Sequence, residues 1–393
     1  MKQFGIGIIG AGSIAEIGHC PSIEALDNAY LAAFAEPNKA ILDKMTAKWN
    51  PKKTYTDYHD MLEDPAVDVV IIATPNAFHA QQAIDSMKAK KHVIVEKPFA
   101  CTHKEAWAMV DVARKEGVVL MAGTNQRFWT QNKMARKLID DGIIGDIKMG
   151  RSSLHEGWGL YHEQLAFSKF RSNPTEAGAG ALFDLGAHRA DLLVYLMGSA
   201  PKRVVGIVKR QCTPEEYTKL DDSFYVLVEF ENGATGVIDG DRYSPAVSNI
   251  SEVYGSHGTI FTGSEAQNPY QTAPLAVFTD LDMKQTELPK VLREYRYPQL
   301  FWSEDIMQPD GYVPKRWVPI YPERGWAYKS MLEHFLDCLE KDVEPELTPE
   351  MSALVTDVLV GAYASMKTNS WVNVGRDMED FEVPFFTPQP LNY

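Results

Sequence analysis

The chain has 393 residues, 45% of them hydrophobic and 23% charged, with a formal net charge of −14; that length predicts two domains, and the acidic balance argues against nucleic acid or an anionic membrane as partner. Four cysteines (Cys20, Cys101, Cys212, Cys338) lie far apart with no Cys-x-x-Cys pair, so reduced thiols are expected, not a disulfide or zinc framework. No apolar run approaches the roughly 20 residues that cross a bilayer and no charged leader opens the chain, so a soluble cytoplasmic protein is expected.

Residues 4–9 are an apolar, isoleucine-rich run that opens onto Gly10-Ala11-Gly12-Ser13-Ile14-Ala15. In this G-x-G-x-x-A pattern Gly10 permits a tight turn, Gly12 lets the backbone approach a pyrophosphate, and Ala15 allows close helix–sheet packing. A helix over 14–26 would aim its first amides at the phosphates, which makes Ser13 and Ile14 candidate cofactor contacts as well. The second strand, 30–35, ends in Glu36. Its carboxylate suits the adenosine ribose diol of NAD and repels the 2′-phosphate of NADP, and only Lys39 lies nearby to receive that phosphate. NAD is therefore the expected cofactor, although Glu36 could instead favour the start of a helix over 39–49.

The pattern repeats. Strand 67–72 ends in Ala73-Thr74-Pro75-Asn76 and leads to a helix over 77–88. Thr74, Asn76 and His79 fall on the cofactor side, with His79 equally open to solvent. Strand 93–95 stops at Glu96-Lys97-Pro98, because proline cannot donate to a sheet ladder. Lys97 is thus left at the carboxyl edge, where ligands of open parallel sheets bind, with Glu96 as counter-charge; a surface Lys–Glu pair is the other reading. A helix over 104–116 and a strand over 118–122 follow. This alternation predicts a parallel, doubly wound sheet.

Next come Asn125-Gln126-Arg127-Phe128 and a helix over 131–140, stopped by Asp141-Gly142. From Asp146 the character changes. Runs at 147–154, 203–209, 224–230, 234–239 and 249–254 show partial apolar–polar alternation, and Asn232-Gly233 signals a hairpin. They predict a large, mostly antiparallel open sheet with one face free for a helix or a second subunit. The expected division is residues 1–125 for NAD and 126–393 for substrate binding and oligomerisation. His155 and Trp158 could face a substrate; surface or packing roles are equally open to them.

Within this half, Gly178-Ala179-Gly180 leads to Asp184, His188 and Asp191. Asp184 and His188 are four apart, so they share a face if both are helical. A neutral imidazole beside a carboxylate is a serviceable general base; helix capping and packing are the alternative. No third ligand accompanies them, so no metal is expected. Segment 280–326, rich in proline and aromatics, predicts irregular chain with Trp302 and Trp317 as sugar-stacking or subunit-contact candidates. Helices over 327–340 and 349–368 close the domain.

Together Gly10-x-Gly12-x-x-Ala15, Glu96-Lys97-Pro98, Asn125-Gln126-Arg127-Phe128, Asp184-x-Gly186-x-His188-x-x-Asp191 and Tyr254-Gly255-Ser256-His257-Gly258 resemble the Gfo/Idh/MocA family of oxidoreductases. The resemblance covers residues 4–262 and, more loosely, the helices over 326–368. It implies a Rossmann domain followed by an α/β domain whose large open sheet is commonly the oligomer contact, here a dimer or tetramer. Lys97, Asp184 and His188 match the family's catalytic positions. Asn125 and Arg127 are carried over as cofactor contacts, Arg127 also facing substrate.

Oxidising a secondary alcohol by hydride transfer needs a base for the hydroxyl proton and a positive group for the developing oxyanion. His188 is the expected base and Lys97 the oxyanion partner, positioned by Glu96. Asp184 would orient the imidazole or accept a substrate hydroxyl. The expected substrate is a pyranose sugar or glycoside oxidised at a ring hydroxyl, C3 among the candidates. Cyclitol oxidation, or glycoside cleavage that recycles NAD without net redox, are the alternatives.

Overall fold

The computed structural model describes residues 3–157, 166–264, 273–295, 315, 317–388 and 390–392. Its first sheet is built from β1 (Phe4–Ile9), β2 (Ala29–Ala35), β3 (Lys53–Tyr55), β4 (Val69–Ile72), β5 (His92–Val95) and β6 (Leu120–Ala122). The order is β3-β2-β1-β4-β5-β6, and every pairing is parallel. β1, β4 and three residues of β5 are buried throughout, which is why they read as unbroken Val/Ile runs instead of alternating ones. The chain order reverses between β1 and β4, and that switch point opens a crevice at the carboxyl ends of the strands. Helices Lys39–Trp49, His79–Lys88 and His103–Glu116 are the crossovers. The last begins with a capping box between Thr102 and Glu105 and ends at Gly117 in the left-handed region.

Two elements of this first half were not predicted: β3 and the helix Tyr58–Leu62. Each is short, and β3 is an edge strand with two of its three residues exposed, so it carries no apolar signature.

The second sheet contains β7 (Ile147–His155), β8 (Pro201–Lys209), β9 (Ser223–Phe230), β10 (Thr235–Asp241), β11 (Ser248–Gly255), β12 (Gly258–Gly263), β13 (Leu275–Thr279), β14 (Val318–Ile320) and β15 (Val372–Asn373). Their order is β14-β13-β12-β11-β7-β10-β9-β8-β15; β7 and β10 pair parallel, and the other neighbours antiparallel. Asn232-Gly233 makes the β9–β10 turn, with Gly233 at φ +80°. Helices Ala187–Met197 and Pro349–Thr368 cover one face. Gly150 of β7 lies so close that a Cβ there would meet Leu193 and Met197, and a Cβ on Gly206 of β8 would meet Ala362. The opposite face leaves Ile207, Tyr225 and Leu227 exposed.

Segment 280–326 is not wholly irregular. Helix Lys290–Tyr295 and β14 lie within it, and β14 tolerates Pro319 because it is the sheet's edge. Trp302 lies outside the described residues. Trp317 stacks on Phe261 of β12, ring centroids 4.9 Å apart, so the second sheet is its packing partner.

Helix Ala327–Lys341 joins the first core. Met331, Leu332, Phe335 and Leu336 are buried in the same apolar cluster as Ile6, Ile71 and Ile94. Among the described residues no helix is long and apolar enough to span a membrane.

Candidate active site

Gly10 closes β1 with φ +90°, and a Cβ there would lie 2.7 Å from the Ala73 carbonyl oxygen, so no other residue fits the turn. Gly12 is exposed and nothing stands within 4 Å of where its Cβ would be, which leaves the space over the loop open to a ligand. Ser13 and Ile14 are half-buried beside it. The chain then turns through a π-helical segment, Ala15–His19, into helix Cys20–Glu24.

Glu36, at the end of β2, reaches back to this loop: one oxygen accepts the Ala11 amide at 3.0 Å and the other the Asn38 amide at 2.9 Å. The helix that follows is capped by Asn38, whose side chain accepts from Ala40 and Ile41, so the alternative helix-start role falls to Asn38. After β4, Thr74 donates to Gln82 at 2.6 Å, and Asn76 donates to the Ala177 carbonyl at 2.7 Å, tying the loop to the second half of the chain.

His79 is a correction. It is fully buried, with Nδ1 2.8 Å from the Pro98 carbonyl and Nε2 3.0 Å from that of Thr74. Burial pushes its pKa down, and neither nitrogen is left for a cofactor. The ring instead fastens the loop after β4 to the loop that carries Lys97. Glu96 is a second correction. Its carboxylate pairs with buried His19 at 2.8 Å rather than with the Lys97 ammonium, touching Lys97 only through the backbone amide.

The counter-charge of Lys97 comes from the other half of the chain. Its Nζ lies 2.7 Å from Asp184 Oδ1 and 2.8 Å from the Asp184 carbonyl oxygen. Half-buried Asp221 holds the segment before Asp184 in place: its carboxylate accepts the Gly180 and Leu182 amides and the Tyr363 hydroxyl. A Cβ on Gly180 would lie 2.1 Å from the Asp221 carbonyl oxygen, so this approach requires glycine.

Two further cations meet Asp184, and no motif pointed to either. Arg171 Nε lies 3.3 Å from Oδ1, and the Arg242 guanidinium lies 2.8 Å from Oδ2. Burial alone would raise the Asp184 pKa, but Lys97, Arg171 and Arg242 outweigh it and hold the carboxyl well below its ordinary range.

Asp184 does not orient His188. It sits in the π-helical turn Leu182–Gly186, where the angular step differs from that of an α-helix, and its oxygens are taken by the cations. His188, on the first turn of helix Ala187–Met197, has a buried Nδ1 with no hydrogen-bond partner among the described residues. Burial, then the charges of Lys97 and Arg189, push its pKa well below the usual histidine range. The imidazole is therefore neutral at physiological pH, the state a proton acceptor requires. Glu156, just past β7, also belongs to this neighbourhood: burial and then Asp184 push it up to about 7, against the pull of Lys97, Arg242 and Arg171.

Arg127 and His155 are further corrections. Arg127 is buried, makes a bidentate pair with Asp191 (Nε to Oδ2 3.0 Å) and lies 4.8 Å over the Tyr195 ring, which occupies its guanidinium structurally. Asn125, beside it, is half-buried at the carboxyl end of β6. Strand alternation puts His155 on the face opposite helix Ala187–Met197, where its nitrogens meet Asp241 at 2.6 Å and Asp239 at 3.0 Å. Hydrogen bonding to Asp239 raises its pKa. Trp158 lies outside the described residues. Among those residues no group of three or more His, Cys, Asp or Glu could hold a metal ion.

A family model described as an oxidoreductase family with an NAD-binding Rossmann fold matches residues 4–124, and the Gfo/Idh/MocA C-terminal domain matches 132–261. The chain belongs to the Gfo/Idh/MocA family. It is 31% identical to the myo-inositol 2-dehydrogenase of Thermotoga maritima over 65% of this chain and 74% of that protein. It is 28% identical to the levoglucosan dehydrogenase of Pseudarthrobacter phenanthrenivorans over 70% and 77%. A solved structure of a levoglucosan dehydrogenase in complex with NADH and levoglucosan has the same fold, with a TM-score of 0.77 at 23% identity over 95% of this chain and 100% of that one. NAD is the cofactor of the family's first domain. The open space before Gly12 and the carboxylate of Glu36 beside the loop fit its pyrophosphate and ribose.

Proposed function

We propose that this enzyme oxidises a secondary ring hydroxyl of a pyranose sugar or glycoside, with C3 as the favoured position, and that Lys97, Asp184 and His188 carry the reaction. The observation behind this reading is the 2.7 Å contact between Lys97 and Asp184 at the carboxyl edge of β5, with the neutral imidazole of His188 close enough to feel the Lys97 charge. Gly10, Gly12, Ser13, Ile14, Glu36, Thr74, Asn76 and Asn125 ring the crevice that takes NAD. Bound NAD supplies the hydride acceptor. His188 accepts the hydroxyl proton, and Lys97 supports the charge that develops on the oxygen. Asp184 holds the ammonium in place through its carboxylate and its carbonyl oxygen. It has Arg171 and Arg242 to satisfy it whenever Lys97 turns to substrate.

The D-glucoside 3-dehydrogenase of Escherichia coli, 27% identical over 58% of this chain, favours a glycoside oxidised at C3. The inositol dehydrogenase relative keeps a cyclitol as the second reading. We place the enzyme in the cytoplasm, its four cysteines being free. We further place a homo-oligomer contact on the exposed face around Ile207, Tyr225 and Leu227.

The test is to incubate purified protein and NAD with a panel of glycosides, free sugars and inositols, following NADH absorbance and sugar products together. NADH appearing with a keto-glycoside supports the proposal. Cleaved glycoside with no net NADH replaces it by the NAD-recycling reading, and turnover of inositols alone replaces it by the cyclitol one.

A further inference from the structure

The charges around Asp184 do not balance for a neutral sugar. Lys97 and Arg171 share its Oδ1, and Arg242 takes its Oδ2, so one carboxylate faces three cations. During reaction the developing alkoxide answers Lys97 and Asp184 answers one guanidinium. Asp221, which also feels the charge of Arg242, is spent on the Gly180 and Leu182 amides and the Tyr363 hydroxyl, so among the described residues the Arg171 guanidinium is left over.

The two arginines are also under-satisfied. Arg242 is buried; among the described residues its Nε has no hydrogen-bond partner, and its side chain also approaches the Gly180 carbonyl at 3.4 Å. A buried unmade donor costs free energy unless some other group fills the role. Among the described residues Arg171 spends one nitrogen on Asp184 and rests over the Phe170 ring at 4.7 Å, while 28% of its side chain is exposed. Glu156 is the obvious candidate to neutralise the excess, but no hydrogen bond joins it to any of the three cations among the described residues, and burial drives it toward its neutral form. The nicotinamide ring of NAD is itself cationic and adds to the surplus.

We propose that the substrate carries a carboxylate, as a hexuronic acid or its glycoside does, and that Arg171 binds that carboxylate while buried Arg242 stays with Asp184 and Lys97 binds the hydroxyl under oxidation. This rests on the dehydrogenase reading given above and narrows its substrate class. The geometry suits a pyranose. Lys97 Nζ and Arg171 Nε meet on a single oxygen atom, 2.7 and 3.3 Å from it, so they lie within about 6 Å of each other, and a carboxyl on C5 stands a few bonds from the ring hydroxyls. A planar guanidinium matches a carboxylate with two parallel hydrogen bonds, which a hydroxymethyl group cannot reproduce.

The experiment compares kcat/KM for methyl glucuronide and methyl glucoside, with NAD saturating, in the wild type and in Arg171→Gln. The glucuronide should lead by about ten- to a hundredfold, the scale of a charge-assisted contact. The lead should shrink with added salt and collapse in Arg171→Gln, with Arg171→Lys recovering part of it. Equal rates on the two glycosides, or a lead for the glucoside, overturn the acidic-substrate proposal and leave the dehydrogenase reading standing. If neither compound is oxidised, calorimetric titration of the NAD-loaded enzyme with glucuronate and with glucose decides separately. Tighter binding of glucuronate that Arg171→Gln abolishes supports the carboxylate site. No preference between the two refutes it. Arg242 is buried, so Arg242→Gln is read only after circular dichroism confirms that the variant folds.

Discussion

The pair formed by Arg127 and Asp191 separates a structural role from a ligand-binding one. The two side chains are 3% and 1% exposed and meet through two parallel hydrogen bonds, with Tyr195 covering the guanidinium. Replacing Arg127 with leucine would leave the Asp191 carboxylate buried and unpaired. Breaking one side of a buried pair costs about 3–5 kcal/mol, a large share of the about 5–15 kcal/mol that holds a protein folded. Arg127→Leu should therefore lower the urea midpoint markedly, read by circular dichroism and tryptophan fluorescence. Arg127→Leu with Asp191→Leu removes both charges and should recover most of the loss, since apolar pairs replace buried ion pairs at little or no net cost. At temperatures where the single variant stays folded, its KM for NAD and for the sugar should remain near wild type. An unchanged midpoint in Arg127→Leu, combined with a KM more than an order of magnitude higher, would refute the structural assignment and return Arg127 to the binding site.

Four other outcomes follow from the site and its surroundings. Lys97→Met should lose about two to three orders of magnitude in kcat while keeping its melting temperature, because Asp184 retains Arg171 and Arg242; NADH formation and calorimetry measure the two. His188→Gln should cost about 10²–10⁴ in kcat, the range for a lost general base, with NAD affinity unchanged in a fluorescence titration. Glu36→Ser should erode the preference for NAD over NADP in kcat/KM, and Asn38→Ala should leave that preference alone while costing about 1 kcal/mol of stability as a lost helix cap. Glu105, raised by burial from an ordinary 4.5 to about 7, binds its proton more tightly folded than unfolded. Its contribution to stability is complete below pH 4.5 and fades as pH rises through 7, by about 3 kcal/mol in all. Glu105→Gln should flatten that slope in melts taken across pH 5–8.

Elements defined by local chemistry could be read from the chain alone. The Val/Ile runs of β1, β4 and β5, the Gly10–Gly12 turn and the Asn232-Gly233 hairpin each depend on neighbours a few residues away. The chain put forward Lys97, Asp184 and His188 as candidates but not the contacts they make. Lys97 was expected to lean on Glu96, its neighbour in sequence; it leans on Asp184, 87 residues away, while Glu96 turns to His19. His79 was placed toward the cofactor because its helix begins there, and only the fold reveals that both ring nitrogens meet carbonyls. Arg171 and Arg242 belong to no spacing pattern. Their importance comes from convergence on one carboxylate, which periodicity does not encode.

Helix Ala327–Lys341 has a consequence for how the protein comes into being. Met331, Leu332, Phe335 and Leu336 fill the same apolar cluster as β1, β4 and β5, so on the ribosome the first sheet emerges long before its last layer. At about 5–20 residues per second, synthesis leaves an interval of about ten to forty seconds between β6 and this helix. Through that interval the nascent nucleotide-binding half exposes an unfilled apolar surface, a natural substrate for chaperones. Expression of residues 1–125 alone would make that temporary state permanent.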